Sequence, residues 1–197
     1  MEKKVLIPGP ETLEGMYCPG TRGAAVITHP HPLYGGDMDN NVVWIAVRAF
    51  QSRGWATLRF NFRGVGESTG GYGEGLAEAG DVQAALEYVK TRGPGPHLVV
   101  GYSFGAYAGA QALLKELAAD RAIFISPPVA FMPMPFLGQV PKLSLIIVGD
   151  RDDICPLAQL EALLAPVRNR IKLVVLPGAD HFWGGSEEDL YQVLVRT

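Results

Sequence analysis

Apolar runs of strand length alternate with stretches of helical periodicity through most of the chain. The runs "WATLRFNF", "HLVVGY", "RAIFIS", "LSLIIVGD" and "IKLVVLPG" have the length and the β-branched or aromatic content of buried strands. Between the first two of them, "LAEAGDVQAALEYVKTRG" carries apolar residues at helical spacing, at Val82, Ala85, Leu86 and Val89. This alternation predicts a parallel sheet with helices on both faces.

The beginning of the chain has a different pattern. The runs "KKVLIPG", "TLEGMYC" and "GAAVITH" are separated only by short turns, so we expect them to form an antiparallel opening to the sheet. A last helix is expected from about Ser186, which has the spacing of a capping box with Asp189. No repeat, linker or low-complexity tract divides the 197 residues, and we expect a single α/β domain over 1–197.

Composition excludes several classes of protein. The net charge is −3 and the charges of both signs are mixed along the chain, so we expect no nucleic-acid partner. No stretch approaches the ~18 apolar residues of a membrane span, and "VLI" near the N-terminus is too short for a signal peptide. We expect a cytoplasmic protein without a membrane partner. Cys18 and Cys155 lie in unlike contexts and are expected to be reduced thiols. The sequence is compatible with both a monomer and a homo-oligomer.

The stretch "LVVGYSFGAYAG" places Ser103 between two glycines where a strand gives way to a helix. Ligands of such sheets lie beyond the carboxyl ends of the strands. A turn this sharp predicts a strained serine with a raised hydroxyl, in front of the N–H groups of the following helix. A serine hydroxyl is a poor nucleophile unless a base activates it. Ser103 is therefore a candidate nucleophile that requires a histidine and a carboxylate.

"GYSFG" matches G-x-S-x-G and resembles the nucleophile elbow of the α/β-hydrolase family. "RFNFRGVGES" is similar to an R-G-x-G-x-S stretch of that family, in which we expect Arg63 to tie loops together. The "HPHPLYGG" loop and the short chain look most like the small dienelactone hydrolase-like and esterase-like members. Dienelactone hydrolases use a cysteine nucleophile, so Ser103 favours ordinary ester chemistry. The resemblance implies an α/β-hydrolase fold, a mostly parallel sheet of about eight strands with helices on both faces.

The chain order of the family, serine, acid, histidine, identifies candidates for the other two groups. The only histidine after Ser103 is His181, in "LPGADHFWGG" after the last predicted strand. The acid is expected after the preceding strand, where "LIIVGDRDDICP" offers Asp150, Asp152 and Asp153. Many members have a similar G-x-x-D before a proline, and this resemblance selects Asp152. The other two aspartates are expected to form turns or caps.

An oxyanion hole needs two backbone N–H groups. The family takes one from the residue after the nucleophile, here Phe104, and the other from the loop after an early strand, here "HPHPLYGGDMDNN". Pro30 and Pro32 have no N–H. The similarity of this loop to that of dienelactone hydrolase-like proteins implies Leu33 as the second donor, with Tyr34 as the alternative.

Three other sequence motifs are not expected to take part in the chemistry directly. His29 and His31 form a pair that lacks the third ligand of a usual metal site, so we expect no metal. "RGVGESTGGYGEG" is rich in glycine but has no G-K-[ST], so we expect neither phosphate binding nor a cofactor. The apolar segment 129–140 stands where relatives insert a cap domain, and it either packs into the core or forms a wall over the acyl pocket.

These residues predict a serine hydrolase that cleaves a small-molecule acyl ester through an acyl-enzyme intermediate, in the manner of a carboxylesterase. A peptidase or an acyltransferase would use the same three side chains. A non-catalytic binding protein on the same fold is the alternative from another class, although such proteins usually lose one of the three.

Overall fold

The computed structural model describes residues 1–197 and contains one eight-stranded sheet with five α-helices. The strands are β1 (Lys3–Ile7), β2 (Leu13–Cys18), β3 (Ala24–Thr28), β4 (Ala56–Phe60), β5 (His97–Tyr102), β6 (Arg121–Ile125), β7 (Leu143–Gly149) and β8 (Lys172–Leu176). The helices are α1 (Asn41–Ser52), α2 (Glu78–Lys90), α3 (Phe104–Leu114), α4 (Leu157–Leu164) and α5 (Glu187–Val195). The predicted α/β architecture is confirmed.

The strand order is β1-β2-β4-β3-β5-β6-β7-β8. β2 pairs antiparallel with β1 and β4, and all the other pairs are parallel. β3 was expected in the antiparallel opening, but it lies between β4 and β5, parallel to both. All five residues of β3 are buried, because neighbouring strands flank it on both edges and helices cover both faces of the sheet. The chain reaches it by passing close to β4 at Gly20, where a Cβ would lie 2.0 Å from the Ala56 nitrogen.

The helices form a layer on each face of the sheet. α1 and α5 cover one face, and their core includes Phe50 and Trp183. α2, α3 and α4 cover the other face, where Phe60 and Phe104 are buried. α5 begins after Ser186, as expected, but the Ser186 side chain makes no cap hydrogen bond, so the capping box is not formed. No helix has the length and hydropathy needed to cross a bilayer.

The segment 129–140 connects β6 to β7 without an α-helix of its own. Its only regular element is a short 3-10 helix, Leu137–Gln139. Met134 and Leu137 are buried in the core under α4, whereas Phe131 is 53% exposed. The segment therefore contributes to the core with one part and to the protein surface with another.

Candidate active site

Ser103 lies at the turn between β5 and α3. Its φ of 52° and ψ of −118° are rare for a residue with a side chain and cost about 1–3 kcal/mol. The flanking glycines allow close contact on both sides, because a Cβ on Gly105 would lie 2.4 Å from Thr28 Oγ1 and one on Gly101 would lie 2.6 Å from the Ala106 Cα. The Ser103 N–H donates to the Ile125 carbonyl at 3.0 Å. The two glycines of the motif are therefore required by packing.

The loops after β5, β7 and β8 bring Ser103, Asp152 and His181 together. His181 Nε2 is 2.9 Å from Ser103 Oγ. His181 Nδ1 is 2.8 Å from Asp152 Oδ1 and 3.0 Å from Oδ2. All three residues are buried. Because the carboxylate accepts a hydrogen bond at Nδ1, that nitrogen carries the proton and the Nε2 lone pair faces the serine hydroxyl.

Asp152 is held as an ionised carboxylate. Burial by itself would raise the pKa of this carboxyl, but hydrogen bonding to His181 and attraction to its imidazole offset this effect, with help from the Cys155 N–H. The pKa of Asp152 is therefore lowered from its ordinary value. Its Oδ1 accepts from the N–H groups of Ile154 and Cys155 at 3.0 and 2.7 Å, so the loop backbone orients the carboxylate.

The neighbouring aspartates do not contact the imidazole. Asp150 accepts from the Gly178 N–H at 2.7 Å, which is a turn role of the kind expected for it. Asp153 is exposed. Among the three candidates in this loop, only Asp152 is hydrogen-bonded to His181.

The loop that carries His181 is fastened by residues that the sequence analysis did not identify. The Tyr102 hydroxyl donates to the His181 carbonyl at 2.9 Å, and Asn41 Nδ2 donates to the Phe182 carbonyl at 3.0 Å. Asp180 Oδ1 accepts from the Phe182 N–H at 2.9 Å. Tyr102 directly precedes Ser103 and was detectable as part of the motif, whereas Asn41 had no signal in the sequence.

The backbone N–H groups expected to form the oxyanion hole differ in their hydrogen bonding. Phe104 is the first residue of α3, so its N–H has no acceptor within the helix. The Leu33 N–H, however, donates to His31 Nδ1 at 3.2 Å, and the Tyr34 N–H donates to the His31 carbonyl at 3.1 Å. This geometry does not support Leu33 or Tyr34 as the second donor, because both N–H groups already have acceptors.

The N–H of His31 makes no hydrogen bond within the protein, and His31 lines the same cavity as Ser103. The sequence analysis did not consider this residue, which lies between the two excluded prolines. The turn that engages Leu33 depends on the imidazole of His31, which caps the 3-10 helix Pro32–Tyr34.

Both histidines of the "HPHP" motif use their ring nitrogens in loop structure. His29 Nδ1 bonds the Pro30 carbonyl at 2.7 Å, and His29 Nε2 accepts from the Phe62 N–H at 3.0 Å. Burial lowers the pKa of His29 to about 4, so this ring is neutral. His31 Nε2 lies 3.1 Å from the Tyr72 hydroxyl. The two imidazoles are thus engaged by protein groups, in the loop role expected for them.

The glycine-rich stretch is also occupied by internal contacts. The N–H groups of Gly73 and Gly75 donate to the two carboxylate oxygens of Glu78, each at 2.7 Å. Arg63 pairs with the buried Asp81, with 2.6 Å between Nη2 and Oδ1. The Glu78 carboxylate therefore engages these two N–H groups, and Arg63 joins the loop after β4 to helix α2, where two loops were expected to be joined.

A cavity of about 380 Å³ opens beside Ser103. Its lining contains no Asp, Glu, Lys or Arg side chain. The lining residues are Pro30, His31, Tyr34, Gly35, Gly36, Asn40, Tyr102, Ser103, Phe131, Ile154, His181 and Phe182. A substrate in this cavity would lie against the serine hydroxyl in a largely apolar environment.

Comparisons with known proteins agree with this architecture. The model of the alpha/beta hydrolase family matches residues 29–143, more than half of the chain. An uncharacterised protein of Rickettsia prowazekii is 33% identical over 205 residues, which cover 97% of this chain and 86% of that protein. The structure of an alpha-beta serine hydrolase homologue from Coxiella burnetii matches with a TM-score of 0.89 and 36% identity, over 98% of this chain and 96% of the other.

A serine hydrolase without a lid from Xanthomonas campestris gives a TM-score of 0.89 at 30% identity, over 99% of this chain and 92% of that one. The family model matches the middle of the chain, and the relatives match it along nearly its whole length. The chain belongs to the alpha/beta hydrolase family.

Proposed function

We propose that this protein is a serine esterase that cleaves small carboxylic esters through an acyl-enzyme intermediate. The observation that carries the proposal is the hydrogen-bonded series from Ser103 Oγ through the two ring nitrogens of His181 to Asp152. Of two similar structures, one is described as a serine hydrolase homologue and the other as a member of the serine hydrolases, which supports the same chemistry.

In the first step, Ser103 Oγ attacks the acyl carbon and its proton moves to His181 Nε2. The carbonyl π electrons become an oxyanion, which the N–H groups of Phe104 and His31 stabilise. Asp152 stays ionised and stabilises the imidazolium that forms. Collapse of the intermediate expels the alcohol, which takes the proton from His181 and leaves the acyl group on Ser103.

In the second step, a water molecule attacks the acyl-enzyme while His181 Nε2 takes one of its protons. The new tetrahedral intermediate collapses, the carboxylic acid leaves, and the proton returns to Ser103 Oγ. The protein is thus restored, and the net reaction is the hydrolysis of one ester bond.

The strained backbone of Ser103 favours catalysis over a purely binding role. A serine with positive φ costs stability, and such strain persists where it positions a reacting group. A peptidase or acyltransferase would use the same three side chains, so a panel of matched esters, peptides and acceptor alcohols distinguishes these activities.

The experiment is the hydrolysis of p-nitrophenyl esters by wild type and Ser103→Ala. We expect a loss of kcat of roughly 10⁴ or more, because the three groups act as a unit. A fluorophosphonate probe should label the wild type and not the variant. Ser52→Ala is a matched control, since Ser52 lies in α1 and its hydroxyl bonds the Ala49 carbonyl.

Thermal unfolding of Ser103→Ala should remain cooperative, which separates loss of the nucleophile from loss of the fold. If the variant kept more than a few per cent of activity or continued to react with the probe, the assignment of Ser103 would be wrong.

A further inference from the structure

Three exposed aromatic side chains surround the mouth of the cavity, and we call Tyr34, Phe131 and Phe182 the aromatic rim. They are 74%, 53% and 66% exposed, and they belong to the loops after β3, β6 and β8. Nine large hydrophobic side chains are exposed in the whole protein, and three of them line this one cavity. Apolar surface concentrated at one opening is typical of a ligand-binding surface.

The lining offers no partner for a charged ligand. It contains no Asp, Glu, Lys or Arg, and its titratable groups are two histidines and two tyrosines. Burial lowers the pKa of His31, which keeps this ring neutral near pH 7. A charged group buried here would lose its hydration without gaining an ion pair. The ligand that fits this lining is therefore uncharged.

The rings around the cavity already contact one another in the way that aromatic groups prefer. The His31 ring centre lies 4.8 Å from that of Tyr34 and 5.9 Å from that of Phe131. Tyr34 and Phe131 are 5.7 Å apart with an angle of 79° between their planes. Edge-to-face pairs of this kind stabilise beyond the burial of apolar area. A planar ring that enters the cavity could make the same kind of edge-to-face contact with the rings of His31, Tyr34 and Phe131.

We propose that the aromatic rim binds an uncharged aromatic ring of the substrate, so that the protein prefers aryl-containing esters to aliphatic esters of the same size. The inference rests on the proposed esterase function and names its substrate class. Aromatic rings can also bind a quaternary ammonium group. That ligand is disfavoured here because no carboxylate faces the cavity and His181 becomes cationic during the reaction.

The test compares esters that differ only in the aromaticity of one ring. Ethyl 3-phenylpropanoate and ethyl 3-cyclohexylpropanoate place the ring on the acyl side, and 2-phenylethyl and 2-cyclohexylethyl acetate place it on the alcohol side. Acid release is followed by pH-stat titration. In at least one pair we expect kcat/KM to be about 2- to 10-fold higher for the phenyl ester.

Equal rates within both pairs, or a preference for the cyclohexyl esters, would overturn the inference and leave the esterase function standing. Failure to hydrolyse every ester would overturn the esterase function itself, and the inference with it. The two failures are therefore distinguishable from the same measurements.

Variants connect the preference to the rim. Phe131→Leu and Tyr34→Leu retain apolar bulk but remove a ring, so each should reduce the phenyl-to-cyclohexyl ratio of kcat/KM. Phe136→Leu is the matched control, because Phe136 packs against Tyr107 at 6.0 Å and does not line the cavity. An unchanged ratio in both rim variants would contradict the assignment.

Charge is tested on the same scaffold with a carboxylate or a trimethylammonium group at the para position of the ring. Each should lower kcat/KM by about tenfold or more, since either charge would be desolvated without a partner. A higher kcat/KM for the trimethylammonium ester would overturn the inference in favour of a cationic substrate.

Discussion

The proposed reacting residues and the aromatic rim lie beside the same cavity but are held in different ways. Ser103, Asp152 and His181 are buried, and hydrogen bonds fix each of them. Phe131 and Phe182 of the rim are more than half exposed, and they contact neighbours through packing. On the proposed function, the chemistry would depend on the hydrogen-bonded geometry of the three buried residues, whereas substrate choice would depend on the shape of the rim side chains. Substitutions in the two regions should change different kinetic constants.

The largest effect of a conservative change is expected at Asp152. Asp152→Asn keeps the shape of the side chain but favours the wrong tautomer of His181, and kcat should fall by roughly 10⁴. Asp153→Asn is the control, because this exposed aspartate stands next in the chain and does not contact the imidazole. Steady-state kinetics on one ester would measure both. A greater loss in Asp153→Asn would mean that the acid is wrongly assigned.

The stability of the folded protein should also depend on pH through His29, a buried residue of the loop after β3. Its pKa is about 4 in the folded protein and about 6.5 when unfolded, so between these values the unfolded chain binds more protons. The free energy of unfolding is therefore highest above pH 6.5 and falls as the pH drops towards 4. The loss attributable to His29 is at most about 3–4 kcal/mol.

Urea denaturation at pH values from about 7 to about 4 measures this dependence. His29→Gln should be less stable near neutrality, because the contact with the Phe62 N–H is weakened. Its stability should nevertheless depend less on pH over this interval. Equal pH dependence in wild type and variant would show that other groups dominate acid unfolding.

A smaller effect is expected from Tyr102, which acts as a positioning residue for His181. Tyr102→Phe removes a hydrogen bond of about 1 kcal/mol to the His181 carbonyl, and we expect kcat to fall by about 5- to 10-fold with little change in KM. Tyr107→Phe, which alters a tyrosine outside the cavity lining, is the control. A change in KM alone would assign Tyr102 to substrate binding instead of the positioning of His181.

The smallest effect concerns the length of the acyl chain. The cavity is small, so we expect a preference for short acyl chains in the wild type. Phe131→Ala should shift the optimum by about one to three carbons, since each buried methylene contributes about 0.8 kcal/mol. Phe136→Ala should keep the wild-type profile. Identical profiles for both variants would show that Phe131 does not limit the pocket.

Much of the fold could be predicted because its helices and buried strands have clear periodicity. The position of β3 could not, because strand pairing is non-local and β2 and β3 are joined by a short turn without pairing. The segment 129–140 was ambiguous for a related reason. Its apolar residues divide between the core, as with Met134, and the cavity, as with Phe131, and their shared composition does not separate the two.

The meeting of Ser103, Asp152 and His181 could be anticipated from the strand ends together with the family's chain order, and resemblance to the family's G-x-x-D pattern selected Asp152 among three aspartates. Their catalytic roles stay predictions. Leu33 was selected by resemblance of its loop to a family pattern. The turn that engages its N–H depends on the imidazole of His31, and such a local hydrogen bond leaves no periodic trace in the sequence. Backbone donors are therefore harder to predict than the side chains that define a motif.

The order of the strands has a consequence for refolding. Ser103 and His181 are 78 residues apart in sequence, and Asp152 and His181 are 29 apart, so neither contact can form inside a single helix or hairpin. They require β5, β6, β7 and β8 to assemble side by side, which is a slow, non-local event in a folding chain. Helical signal can return early during refolding, whereas the three side chains meet only after the C-terminal half of the sheet has formed.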